Sequence, residues 1–89
     1  MPAPFQRILY SPNVLRYYHS SPSDVQKICL NKLFADMCSG TVSIYPHPTM
    51  PKFYLPVIGC GHQLIVAEEA GNSLLIYELH PYALPPGTP

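Results

Sequence analysis

Gln63-Leu64-Ile65-Val66-Ala67-Glu68-Glu69-Ala70-Gly71-Asn72-Ser73-Leu74-Leu75-Ile76-Tyr77-Glu78-Leu79-His80 is a pair of apolar runs joined by a polar link. Ile65, Val66, Ile76 and Tyr77 suit a pleated, half-buried surface, and Gly71-Asn72 tolerate the positive φ of a tight reversal. The stretch predicts a β-hairpin. Leu74 and Ile76 then face one way and Leu75, Tyr77 and Leu79 the other, so the second strand is apolar on both sides. Strands of that kind are buried on both sides.

The chain has 89 residues, room for one domain. A domain this small buries only about 60–65% of its unfolded surface, so a staple or a partner matters to its stability. Apolar residues make up 47%, enough for a core, whereas charged residues make up 11%, under half the usual share, with zero formal net charge. No basic patch is available to displace counterions from phosphates, which argues against nucleic acid as a partner. Few charges also remain to hold copies of the chain apart. Twelve prolines cut it into short elements. The three cysteines, Cys29, Cys38 and Cys60, are an odd number and read as reduced thiols. No apolar run reaches the ~20 residues of a membrane span. The expected compartment is intracellular.

Outward from the hairpin, residues 21–80 read as a small α+β domain, flanked by an N-terminal segment (1–20) and a Pro-rich extended tail (81–89). Ser21, Pro22 and Asp24 form a helix-start signal, Gly40 a stop, and Val25, Ile28, Cys29, Leu33 and Met37 recur at helical spacing, with Leu30 and Phe34 widening the stripe. One helix over about 22–38 is expected, packed on a small antiparallel sheet. Thr41–Tyr45 reads as a short strand, Lys52–Ile58 as an edge strand around Pro56, and Gly59-Cys60-Gly61 as a flexible break. Residues 1–20 carry Arg7 and Arg16, no acidic residue and many hydroxyls, which are transit-peptide traits. Arg16-Tyr17-Tyr18 before His19-Ser20-Ser21 resembles a mitochondrial presequence cleavage site. The competing reading is a hairpin of Arg7–Tyr10 and Val14–Tyr18, turning at Ser11-Pro12-Asn13. The destination is mitochondrial on the first reading and cytoplasmic on the second.

Residues 61–79, with Gly61-His62-Gln63-Leu64-Ile65-Val66-Ala67 opening and Asn72-Ser73-Leu74-Leu75-Ile76-Tyr77 closing, resemble a blade core of β-propellers of the lactonase and NHL type. Residues 33–45 resemble a second copy. The resemblance implies an all-β propeller-blade fragment, incomplete or self-assembling, as the alternative architecture. It makes Glu68 and Asn72, with Asp36 and Glu69, the acidic and amide positions to examine at a propeller mouth.

Cys29, Cys38, Cys60 and His62 are the raw material of a zinc site. However, Cys29 and Cys38 lie about 900° apart around a helix, and Cys60-Gly61-His62 lacks a second knuckle. Nothing marks a lowered thiol pKa, and no Ser–His–Asp motif or phosphate loop is present. No residue is assigned to catalysis, cofactor or metal.

One helix covers one face of a small sheet. The expected function is therefore a non-catalytic interaction or assembly subunit, meeting another protein chain or a second copy through Leu75, Tyr77, Leu79, Tyr45, Tyr54 and Tyr82. The other readings are the propeller fragment and the product of a recently arisen small reading frame with no selected function.

Overall fold

The computed structural model of the chain describes residues 5–82. Residues 1–4 of the N-terminal segment and 83–89 of the Pro-rich tail lie outside the described residues. The element order is β1 (Arg7–Tyr10), α1 (Pro12–Ser20), α2 (Asp24–Ser39), β2 (Val57–Gly59), β3 (His62–Glu69) and β4 (Ser73–Pro81). Among the described residues, two helices and one four-stranded mixed sheet, ordered β1-β4-β3-β2, make a small α+β fold. It is not all-β. Leu33 to Cys38, within the second stretch likened to a blade, belongs to α2.

The expected hairpin forms. β3 and β4 pair antiparallel along their whole lengths, and the reversal uses Gly71 at φ 79° and Asn72 at φ 57°. β2 joins β3 through Cys60 and Gly61, both at positive φ (56° and 72°), as a two-residue hairpin turn requires. That segment is a defined turn rather than a flexible break.

The sheet is mixed because β1 runs parallel to β4, from Arg7 opposite Ser73 to Tyr10 opposite Ile76. Val14–Tyr18 does not return as a strand; it lies in α1. The Ser11 side chain accepts from the Val14 amide, and Pro12 occupies the first turn, where its missing N–H costs nothing. Ser11 Oγ also donates to the Tyr77 carbonyl at 2.8 Å, tying the start of α1 to β4.

α2 starts two residues later than the sequence suggests. Its N-cap is Ser23, which exchanges capping-box hydrogen bonds with Gln26; Ser21 and Asp24 do not form the box. Gly40 closes the helix in the left-handed conformation, as expected. Thr41–Tyr45 is not a strand, although the Tyr45 carbonyl accepts from the Leu55 amide at 2.7 Å. The edge segment is shorter than expected too: Phe53 bridges Ala67, and regular pairing is confined to β2.

Both helices pack on one face of the sheet. Val14 from α1 and Leu30, Phe34 and Met37 from α2 meet Leu64, Val66, Leu74, Ile76 and Leu79, with Phe5 and Tyr54 closing one end. Each fully buried aliphatic side chain contributes about 2 kcal/mol through water exclusion. The buried stripe of α2 is thus Leu30-Phe34-Met37. Val25 and Ile28, expected inside, are 77% and 71% exposed.

Candidate interaction surface

Pairing register assigns the side chains of the opposite sheet face. Residues directly across an antiparallel pair share a face. His62, Leu64 and Val66 of β3 point to the helices, so Gln63, Ile65 and Ala67 point away. On β4, Leu75 lies opposite Ala67 and points away with it. A β-bulge then intervenes: Val66 pairs with Ile76 and Ile65 with Glu78, leaving Tyr77 as the extra residue. The extra residue reverses the alternation, so Leu79 rejoins Leu74 and Ile76 on the helix side. β1 adds Leu9 opposite Leu75, and β2 adds Ile58 opposite Gln63.

The result is an apolar sheet face with no helix upon it. Leu9, Ile58 and Tyr77 are exposed, and Ile65, Leu75 and Phe53 are half-buried. Phe53 meets Tyr77 edge-on, with ring centroids 5.4 Å apart. Polar residues share it, and by the same register Arg7, Glu69 and Ser73 lie at one end. Gln63 lies on the face, and His80 and Glu78 pair with each other at 2.6 Å.

Of the six residues expected on an interaction surface, Leu75 and Tyr77 lie on this face, and Tyr45 and Tyr82 are exposed. Leu79 and Tyr54 are not surface residues. The bulge turns Leu79 inward to 4% exposure, and Tyr54, at 5%, packs edge-on against Phe5. The Tyr54 hydroxyl donates to Glu68 Oε1, and burial, followed by that carboxylate, raises its pKa. Leu9, Ile65, Ile58 and Phe53 were missed. Ile65 and Ala67 had a legible signal, since β3 is apolar at consecutive positions. Leu9 had none, because its place depends on the pairing of β1 with β4.

The thiols are arranged otherwise than expected. Cys29 and Cys60 form a disulfide with Cα atoms 5.8 Å apart, linking α2 to the β2–β3 turn, and Cys38 is the free thiol. The turn lies close against the helix: a Cβ on Gly59 would stand 3.2 Å from Leu33 Cδ2, and one on Gly61 3.3 Å from Gln26 Nε2. His62 is fully buried beneath α1. Its Nδ1 lies 2.9 Å from the Cys60 carbonyl and so carries the hydrogen, while Nε2 lies 2.7 Å from the Tyr17 hydroxyl. The Cys60 sulfur and both ring nitrogens of His62 are therefore already engaged within the fold.

Asp36 pairs with Lys32 at 3.0 Å on α2, and Glu68 holds the Tyr54 hydroxyl. Among the described residues, no three His, Cys, Asp or Glu side chains gather as they would around a metal ion. The clefts on the surface of the described residues include three lined in part by aromatic or histidine side chains. The smallest, about 140 Å³, lies between the helices and is lined by Tyr10, Leu15, Tyr18, His19, Asn31 and Phe34. Beside α1, Tyr17, Glu78 and His80 line another of about 400 Å³. The Pro46–Phe53 loop forms the third with Tyr54 and Glu68, about 470 Å³. No helix among the described residues is long and apolar enough to cross a membrane.

No known protein family, characterised protein or solved structure matches the chain.

Proposed function

We propose that the protein is a non-catalytic interaction or assembly subunit, and that its contact surface is the helix-free face of the sheet. One observation carries this reading: both helices lie on the same side, leaving Leu9, Ile58 and Tyr77 exposed around half-buried Ile65, Leu75 and Phe53. Contiguous apolar patches bounded by polar residues are where soluble proteins meet other chains. Tyr and Phe also supply large contact area at small entropic cost. The partner is a protein chain, because the charge balance is neutral and the charges on the face, Arg7, Glu69 and Glu78, do not make the cationic patch that nucleic acid requires.

A photo-crosslinking residue at Tyr77 tests the proposal in cells. It is expected to capture a protein, whether a copy or another chain, while the same residue at exposed Thr49 captures none. Equal capture at both sites, or none at Tyr77, would defeat it. The compartment that fits best is one where the Cys29–Cys60 bond persists, since the cytosol keeps most thiols reduced. An import leader spanning residues 1–20 fits less well, because its removal would take away β1 and α1.

A further inference from the structure

The loop between Pro46 and Phe53 is held shut in two places. At its base the Leu55 amide donates to the Tyr45 carbonyl at 2.7 Å, and the His47 amide to the Phe53 carbonyl at 2.9 Å. At its tip the loop is gathered by an imidazole. His47 Nδ1 stands 3.2 Å from the Thr49 amide nitrogen, 3.1 Å from that of Met50 and 3.3 Å from Thr49 Oγ1. Amides only donate, so Nδ1 offers its lone pair and the ring hydrogen is on Nε2. Pro48 has no N–H, which makes Thr49 and Met50 the first amides that a side chain at 47 can collect. Asparagine and aspartate commonly bind the backbone of a turn in this way. Neither loses its acceptor between about pH 5 and about pH 8, whereas histidine does. Lys52, at φ 71°, completes the loop in a left-handed backbone that residues other than glycine seldom adopt.

We propose that His47 is a pH-sensitive latch: the loop is closed over the neutral imidazole and opens when the ring is protonated. An imidazolium has N–H groups on both nitrogens and no acceptor. In the closed loop its Nδ1–H faces two amide N–H groups, each of which loses its partner. The open loop gives all of these donors to water. The open form therefore binds the proton more readily, and falling pH shifts the population towards it. The other ionisable groups lining the cleft at this loop are Lys52, Tyr54 and Glu68. Lys52 repels an imidazolium and Glu68 attracts one, but Glu68 is already engaged, its Oε1 accepting from the Tyr54 hydroxyl at 3.1 Å. Phe53, at the closing end, lies edge-on against Tyr77, so the latch adjoins the helix-free sheet face without depending on what that face meets.

Heteronuclear magnetic resonance of the full chain tests the latch. As pH falls from about 8 to about 5, the interval in which imidazoles charge, the Thr49 and Met50 amide protons should move upfield together. Their midpoint should coincide with that of the His47 ring signals. The amide heteronuclear NOE of Thr49, Met50 and Lys52 should fall in step as the loop opens. In His47→Asn the residue at 47 does not titrate, so the same amides should not respond to pH. His47→Ala should leave them upfield at every pH. His19, His62 and His80 remain in both variants, so an acid response of the fold as a whole would still appear there. Unchanged amide signals along β3 and β4 verify that each variant folds. Amides that move in His47→Asn as they do in the wild type overturn the proposal. So do wild-type amides that stay still across the range, shifts that move while the NOE does not, or downfield amides in His47→Ala.

Discussion

Tyr10, Tyr17 and Tyr54 each have a raised pKa, and in each the largest cause is loss of water around the phenol. For Tyr10 the neighbouring Tyr18 and Cys38 add to it, and for Tyr54 Glu68 does. The direction fixes a pH dependence. Above the ordinary tyrosine value of 10.0 the unfolded chain has released these protons while the folded chain still holds them. Stability contributed by the neutral phenols is therefore complete below pH 10 and lost as pH rises beyond it. The urea midpoint is expected to fall between about pH 9 and about pH 11, and to fall less in Tyr54→Phe, which has no proton to lose there. A Cys38→Ser background keeps thiolate exchange with the disulfide out of the measurement. An equal fall with and without Tyr54 would refute its part.

At the scale of the element, α2 explains why spacing alone drew the buried face too wide. Val25, Ile28, Leu30, Leu33, Phe34 and Met37 surround much of the helix, so several stripes satisfy the three-and-four rule. Packing chose Leu30, Phe34 and Met37, because these reach Leu64, Leu74 and Ile76. Leu30→Ala should cost about 2–5 kcal/mol, as a fully buried leucine leaves a cavity. Val25→Ala should cost under about 0.5 kcal/mol in a dilute monomer. Chemical denaturation of both variants checks this, and comparable losses would mean that the stripe is wrongly assigned. The caps illustrate the opposite case. Gly40 was legible because only the last turn's own geometry demands φ 86°, whereas Ser21 and Ser23 offer the same hydroxyl two residues apart.

Across the whole molecule, the Cys29–Cys60 bond closes a long loop between the helical layer and the sheet, its ends 31 residues apart. Holding that loop shut in the unfolded chain contributes about 3–4 kcal/mol on the chain-entropy account, a large share of what so small a domain can muster. Cys60→Ser is expected to lower stability by about that amount. Alkylation of the intact native protein should label one cysteine, Cys38. Labelling of all three, with unchanged stability in Cys60→Ser, would show that the bond does not form. An odd count could not reveal this pairing, because connectivity depends on which thiols the fold brings together.

The amino-acid sequence by itself determined the hairpin, the presence and end of the long helix, and a surplus of apolar surface for one short chain, and it left Arg7–Tyr10 open between a strand and an import leader. Each follows from interactions within a turn or between near neighbours, which residue type fixes. Tertiary structure decided the parallel pairing of β1 with β4, the α1 helix at Val14–Tyr18, the buried side of α2, the disulfide, and the bulge that sends Leu79 inward and leaves Tyr77 outside. These depend on contacts between residues far apart in the chain. There, many local arrangements are nearly equal in energy, and burial of the common core selects among them.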